Sequence, residues 1–340
     1  MKAKSNAIEG LRGMAFLLVF LSHTSLLPTP FGMSRFTYFG CFAVTVFLMV
    51  SGYLTGKKYL LDSPDTPCGF LKLVKGRLSR VYPLHVLTLL LAIPLASALK
   101  AMDLPRFLTN LFLLQAWIPS MDYYYSFNAL AWYLSVYLFL TLLTPALVAL
   151  FRKSGHRGSL VALIAIAVLE VAWCAVNAGE FTHAHYWIYI FPVARLADYL
   201  FGMELALWLG QKERPALSAV CRWGAIPLIV GMLILSMFQF NYFLLASAWV
   251  IPAALLLVLV HDADKSGFPY TVFRCVPLVK LGGISFQMYL IHQLVMRYMT
   301  TIPGKIFDPA GVFVYVLVFA VSLGLANLYA YLAGKIPQKR

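Results

Sequence analysis

Apolar runs long enough to cross a lipid bilayer recur from one end of this 340-residue chain to the other. A helix needs roughly 20 apolar residues to cross a bilayer core of about 30 Å. Charged residues make up 12% of the sequence, about half of their share in an ordinary soluble domain. The sequence therefore predicts an all-α integral membrane protein with a single membrane domain over residues 1–340 and no appended soluble domain.

Hydropathy predicts about ten transmembrane helices. Their expected ranges are 10–27, 37–56, 80–99, 129–151, 158–178, 186–209, 223–239, 242–261, 279–300 and 311–333. A further apolar stretch, 106–118, lies between Pro105 and Pro119 and is too short to span the bilayer. We expect a re-entrant or interfacial segment there, which requires that protein buries its unpaired backbone.

The basic residues predict the orientation of these helices. If the N-terminus is cytosolic, twenty of the 27 lysines and arginines fall on the inner side and five on the outer side. The positive-inside rule then predicts that both termini lie in the cytosol. The net charge of +14 is thus a topology signal, and we expect no nucleic-acid partner. The five cysteines lack a C-x-x-C pairing, which argues against a metal site and a disulfide framework.

Few ionisable residues lie within the predicted helices, and each needs a partner or a function because insertion is costly. They are Arg12, His23, Glu170, Arg195, Asp198, Glu204 and His292. Arg12 and His23 are eleven residues apart, which at about 100° per residue places them on one helix face and separates them by about 16 Å. From spacing alone, His23 is either a titratable group deep in the membrane or a cap at the outer end of the helix.

Six sequence blocks resemble, in order, those of the membrane acyltransferase-3 family. The first is EGLRGMAFLLVFLSH, an Arg followed by ten residues and a His. The others are VFLMVSGYLTG, RLSRVYP, AWYLSVYLF, RLADYLFGMELA and LGGISFQMYLIH, and together the blocks extend from residue 9 to about residue 300. The resemblance covers nearly the whole chain, and six blocks in order are far more specific than a single Arg-x10-His.

The resemblance implies a multi-pass acyltransferase of the bacterial cytoplasmic membrane, in which His23 is catalytic with Arg12. Its donor is acetyl-CoA or another acyl-CoA, no metal is needed, and its acceptor is a hydroxyl of a cell-envelope glycan or a glycosylated small molecule. Imidazole titrates near working pH and therefore suits a general base. The alternative is a membrane carrier or exporter of a glycan or small solute.

Coenzyme A carries phosphate groups, which arginine binds with charge-assisted hydrogen bonds. We expect Arg77 and Arg80, three residues apart at the start of a helix, to bind these phosphates with help from Arg12 and Lys75. The alternative is that these cations only obey the positive-inside rule.

Five further residues are predicted to bind substrate: Trp132, Arg195, Asp198, Tyr289 and His292. Arg195 and Asp198 are three residues apart, so they alternatively form a structural ion pair. Tyr289 and His292, with Ser285, alternatively make hydrogen bonds in the core. Trp132 alternatively belongs to an aromatic belt at the membrane interface.

One position departs from the family pattern. The family places a Glu after the Ser-Val of the fourth block, where this chain has Tyr137, so the role of that carboxylate is not transferred. Glu170, one helix later, is a candidate substitute. The residues leave open the acceptor's identity, the acyl chain length, the oligomeric state and the choice between direct transfer and an acyl-His intermediate.

Overall fold

The computed structural model of the protein describes residues 6–24, 36–65, 67–98, 103–154, 159–210, 215–239, 241–261, 267–301 and 312–335. Throughout these ranges the fold is helical, without strands. The helices are α1 (Asn6–His23), α2 (Thr37–Gly56), α3 (Phe70–Ala98), α4 (Leu104–Leu111), α5 (Met121–Tyr124), α6 (Trp132–Ser154), α7 (Ser159–Val176), α8 (Phe181–Ala184), α9 (Leu196–Gly210), α10 (Pro215–Ser236), α11 (Val250–His261), α12 (Tyr270–Phe273), α13 (Val276–Gly283), α14 (Ser285–Thr301) and α15 (Val312–Lys335). The prediction of an all-helical protein is confirmed.

Four helical segments are long and apolar enough to cross a membrane: Thr37–Asp62, Phe70–Ala96, Ala129–Lys153 and Val314–Gly334. Three shorter apolar helices are Val161–Val176, Trp223–Ser236 and Ser247–His261. Each of the ten predicted ranges coincides with helical structure over most of its length, although residues 25–27, 99, 158 and 311 fall outside the described residues. The number of crossings and their orientation remain predictions.

Helix α2 lies at the centre of the fold and α15 at its periphery. The apolar window of α2 is 83% buried, whereas that of α15 is 17% buried. The exposed residues of α15 include Val316, Leu325 and Leu328. A continuous apolar outer face of this kind is unfavourable in water and is expected where lipid is the solvent.

Close packing of α2 against α9 depends on two glycines. A Cβ atom at Gly52 would lie 2.0 Å from the Tyr199 carbonyl oxygen, and one at Gly202 would lie 2.1 Å from the Met49 carbonyl oxygen. Small residues allow helix backbones to approach this closely in membrane proteins. The crossing therefore brings the side chains of α9 directly against the buried centre of the fold.

Two predicted helix starts are wrong by ten residues. The predicted helix 186–209 is interrupted at Phe191, whose backbone is extended (φ −60°, ψ 124°). Pro192 follows, and a proline disfavours the helical conformation of the residue before it. Helix α9 therefore begins only at Leu196. Helix α3 begins at Phe70, ten residues before its predicted start, and contains Pro83. Lysine and arginine are good helix formers, so the helix extends beyond the apolar run that hydropathy detects.

The segment predicted as re-entrant or interfacial forms α4, a turn at Leu113 with positive φ (56°), and a 3-10 turn at Gln115–Trp117. Side-chain hydroxyls from neighbouring helices donate hydrogen bonds to its backbone carbonyls. The Tyr82 hydroxyl donates to the Leu111 carbonyl at 2.8 Å, and the Ser135 hydroxyl donates to the Leu113 carbonyl at 2.6 Å. Such bonds are what a broken helix needs where water is excluded. Its placement relative to the bilayer remains a prediction.

Candidate active site

His23 is the last residue of α1, and its helix fixes the ring. The Nδ1 atom lies 2.8 Å from the Val19 carbonyl oxygen. Because a carbonyl only accepts, Nδ1 carries the proton and Nε2 keeps its lone pair. The capping bond that we considered as an alternative role for His23 is therefore present, and it leaves the ring in the tautomer that a general base needs.

His292 lies directly behind His23. Its Nδ1 donates to the Met288 carbonyl at 2.9 Å, so its Nε2 faces the Nδ1 of His23 as an acceptor, at 3.4 Å. The two rings meet edge to face with centroids 5.3 Å apart. His292 is fully buried, with Phe16 and Phe20 against its ring. It therefore contacts the imidazole of His23, and contact with substrate remains a prediction.

A cavity of about 760 Å³ lies beside His23. We call it the His23 cavity; its lining includes His23, Cys41, Trp132, Tyr189, Tyr289 and Arg297. The volume is within the range of about 300–1,000 Å³ typical of small-molecule sites. Among the described residues of its wall there is no Asp, Glu or Lys. Trp132 and Tyr289, both predicted to bind substrate, thus share this cavity with the predicted catalytic residue.

His185 adds a neutral imidazole to the wall of this cavity. It lies in the segment 181–190, outside the four long apolar segments. Burial lowers the pKa of His185 to about 4, so the ring is uncharged near neutral pH. Its Nε2 lies 3.1 Å from the Tyr125 hydroxyl. The wall is therefore aromatic and largely uncharged.

A second polar site lies towards the other end of α2. The guanidinium of Arg77 donates to the hydroxyls of Thr55 (2.8 Å), Thr144 (3.2 Å) and Tyr199 (3.4 Å). It also lies over the Tyr137 ring, 5.9 Å from the centroid. We call these five residues the Arg77 cluster. No carboxylate among the described residues forms an ion pair with Arg77, so a half-buried positive charge is held by neutral groups alone.

The other predicted donor-binding cations differ from Arg77 in their surroundings. Arg12 is half-buried and forms an ion pair with Glu9, with Nη1 3.2 Å from Oε2. Arg80 and Lys75 are exposed. Helix α1 is unbroken from Asn6 to His23, so Arg12 and His23 belong to one helix, as predicted.

Aromatic rings lie between the Arg77 cluster and the His23 cavity. Tyr133 precedes Tyr137 by one turn of α6, and its ring centroid is 5.3 Å from that of Tyr289, which lines the cavity. The ring centroid of Tyr289 in turn lies 6.4 Å from that of His292. The two sites are thus linked by a short series of rings.

Arg195 and Asp198 form a buried ion pair, with Nη2 2.5 Å from Oδ2 and both side chains fully buried. Arg195 also donates to the Thr45 hydroxyl at 2.9 Å. Neither residue lines the His23 cavity. The geometry therefore shows the structural ion pair that we gave as the alternative, and substrate contact remains a prediction.

Glu170 was a candidate substitute for the carboxylate that Tyr137 replaces. The charged neighbours of Glu170 are Asp198 and Arg195, so Glu170 does not lie beside Arg77, where Tyr137 lies.

A family model described as an acyltransferase domain matches residues 5–330. The chain belongs to the acyltransferase-3 family. It is 28% identical to "Acyltransferase MdmB" of Streptomyces mycarofaciens, over 86% of this chain and 79% of that protein. It is 25% identical to "Putative membrane-bound transacylase BcsY" of Komagataeibacter xylinus, over 86% of this chain and 72% of that protein.

No solved structure was found to match this acyltransferase. Within the described part of the chain, no group of three or more His, Cys, Asp or Glu side chains is arranged to hold a metal ion. Family membership agrees with the resemblance read from the six sequence blocks, and it identifies the protein as a membrane-bound acyltransferase.

Sequence reasoning missed several residues of both sites. The hydroxyl partners of Arg77 come from α2, α6 and α9, and no local pattern predicts them. Gln293 and Arg297 line the His23 cavity beside Tyr289. A signal for these two was present, since residues four apart on a helix share a face.

Proposed function

We propose that this acyltransferase moves an acyl group, acetyl in the simplest case, from acyl-CoA to a hydroxyl of a cell-envelope glycan or another glycosylated acceptor. The observation that carries the proposal is the His23 ring at the wall of a substrate-sized cavity, with its Nδ1 bonded to the Val19 carbonyl. That bond leaves Nε2 as the nitrogen with a free lone pair. Trp132 and Tyr289 supply flat apolar faces in that cavity, and hydroxyl and amide groups supply hydrogen bonds, as a sugar-like acceptor requires.

The Arg77 cluster supports an anionic donor. A half-buried guanidinium without a carboxylate partner is stabilised further when a ligand supplies a negative charge. The phosphates of coenzyme A supply it, with the exposed Arg80 and Lys75 nearby on α3 and Arg12 on α1. The acyl thioester then extends past Tyr137 and Tyr133 towards Tyr289 and His23.

In the proposed reaction, the acceptor hydroxyl binds in the His23 cavity and gives its proton to Nε2 of His23. The hydroxyl oxygen attacks the thioester carbonyl, the new C–O bond forms and the C–S bond breaks. The thiolate of coenzyme A takes the proton from His23, which returns to its starting state. The imidazolium formed on the way lies at the C-terminus of α1, where the helix dipole favours positive charge, and the Val19 carbonyl and His292 accept from its Nδ1.

We further propose ten crossings with both termini in the cytosol of a bacterium, in its cytoplasmic membrane. Thr37, at the His23 cavity, and Thr55, in the Arg77 cluster, are eighteen residues apart on α2, which is about 27 Å of helix. This orientation places the Arg77 cluster on the cytosolic side, where acyl-CoA is found. The His23 cavity then lies on the outer side, where a cell-envelope acceptor is found.

The experiment is acyl transfer by purified protein in liposomes, with radiolabelled acetyl-CoA and a methyl glycoside as acceptor. We expect labelled ester and an equal amount of free coenzyme A, both dependent on the acceptor. Supplying acetyl-CoA on one side only tests the orientation. Movement of unmodified glycoside across the membrane without ester formation would instead support a carrier.

A further inference from the structure

One face of α14 forms part of the wall of the His23 cavity. Tyr289, Gln293 and Arg297 are spaced four residues apart, and all three line the cavity. Residues at this spacing lie one above another on a helix. His292, on the adjacent face of α14, contacts His23, so this stripe runs from the reacting imidazole towards the end of the helix.

Gln293 has an unused acceptor. The residue is 7% exposed, and its Oε1 atom has no hydrogen-bond partner among the described residues. A buried carbonyl oxygen left without a donor is unfavourable, because it has lost its hydrogen bonds to water. Since this residue lines a cavity, a ligand hydroxyl in the cavity is positioned to supply the missing donor.

Arg297 has an unused charge. One Nη1 hydrogen bond goes to the Phe127 carbonyl, whereas a guanidinium has five N–H donors. No carboxylate among the described residues pairs with Arg297, and no Asp or Glu occurs among the described residues of the cavity wall. Arg297 has a structural role, because it holds the backbone of Phe127, which has a positive φ of 53°, and places a cation in the last turns of α14. That role uses only one of its N–H donors.

We propose that the α14 stripe recognises the acceptor, with an oxyanion of the acceptor, carboxylate or phosphate, bound by Arg297 and a neighbouring hydroxyl bound by Gln293. The proposal rests on the proposed function and names its acceptor class: a hydroxylated molecule that carries a negative charge. Arg297 follows His292 by five residues, about 7.5 Å along the helix. The charged group therefore binds roughly that far from the hydroxyl that meets His23.

The test uses two probes that differ in one group: methyl glucuronide, with a carboxylate, and methyl glucoside, with a hydroxymethyl group. Binding to the protein in phosphatidylcholine nanodiscs is measured by calorimetry without a donor, and transfer is measured with acetyl-CoA. A charge-assisted contact predicts at least tenfold tighter binding of the glucuronide. Equal affinity for both probes overturns the proposal.

Three variants identify the residues. Arg297→Gln is expected to raise the glucuronide dissociation constant to that of the glucoside, and Arg297→Lys to restore part of the preference. Gln293→Leu is expected to weaken both probes equally, since both carry hydroxyls. The matched control is Arg106→Gln, because Arg106 pairs with Asp103 and Asp122 and lies outside the cavity wall. A glucuronide preference that survives Arg297→Gln contradicts the assignment.

Failure of this proposal and failure of the proposed function give different results. Glucuronide binding that depends on Arg297, without acyl transfer to any probe, supports the oxyanion site and removes the proposed transfer from acetyl-CoA to a glycoside hydroxyl. Transfer to both glycosides at equal efficiency supports the transferase and removes the oxyanion site. Repeating the binding measurement in phosphatidylglycerol nanodiscs distinguishes the source of the oxyanion. If the anionic lipid weakens glucuronide binding in the parent but not in Arg297→Gln, the site binds a lipid headgroup.

Discussion

The His23 cavity and the Arg77 cluster lie towards opposite ends of α2 and differ in how they hold polar groups. In the cavity, an imidazole is held by a helix carbonyl and a second histidine, among aromatic side chains and next to a volume of about 760 Å³. In the cluster, a guanidinium is surrounded by neutral hydroxyls and a tyrosine ring. The first arrangement suits proton transfer from a bound hydroxyl group, and the second suits capture of an anion. Substitutions at the two sites are therefore expected to change different steps.

The largest effect is expected in the His23 cavity. His23→Ala removes the proposed base, and positioned general-base catalysis is worth typically about 10²–10⁴-fold. Single-turnover acyl transfer should fall by that order, while acetyl-CoA binding in the same preparation stays close to that of the parent. Transfer within a few-fold of the parent would leave His23 with its capping role alone.

Arg77→Ala is expected to give the opposite pattern. Hydrogen bonds to a charged group contribute about 1.5–3 kcal/mol, so acetyl-CoA should bind about 10- to 100-fold more weakly by calorimetry. The rate at saturating donor should change little. Arg77→Lys, which keeps the charge, and Arg80→Ala, at an exposed position, should lose less. An unchanged affinity in Arg77→Ala would remove the cluster from donor binding.

The crossing of α2 and α9 supports both sites, so disturbing it should affect both. Gly202→Ala forces a Cβ atom against the Met49 backbone, and overpacking of this kind costs about 1–3 kcal/mol. We expect a lower melting temperature and a parallel loss of donor binding and transfer. The matched control is Gly231→Ala, where a Cβ atom meets nothing within 4 Å. Similar melting of the two variants would contradict the close crossing.

The smallest effect is expected behind the catalytic histidine. His292→Phe keeps an aromatic ring but removes the acceptor facing His23, and a hydrogen bond contributes about 0.5–1.5 kcal/mol. The turnover number should fall about three- to tenfold with little change in the acceptor KM, and its pH profile should shift because the imidazolium loses an acceptor. His183→Phe, at an exposed histidine outside the cavity wall, is the control. A loss confined to KM would indicate substrate contact instead of positioning.

Sequence reasoning succeeded where the determining interactions are local. Arg12 and His23 were predicted to lie on one helix, and they do. Their separation depends only on the geometry of α1 itself, so no contact with another helix was needed to predict it. Prediction failed at Phe191, where the apolar run continues but Pro192 ends the helical conformation. It also failed at the start of α3, where the helix is longer than its apolar part.

The sequence by itself determined an all-helical protein of the acyltransferase-3 family, with His23 as the residue to test, since apolar periodicity and ordered motifs are read along the chain. Tertiary structure decided what surrounds that residue. His292 is 269 residues from His23, and Tyr199 is 122 residues from Arg77. Contacts between residues so distant depend on how helices such as α2 and α9 cross, and that crossing depends on packing over their whole length.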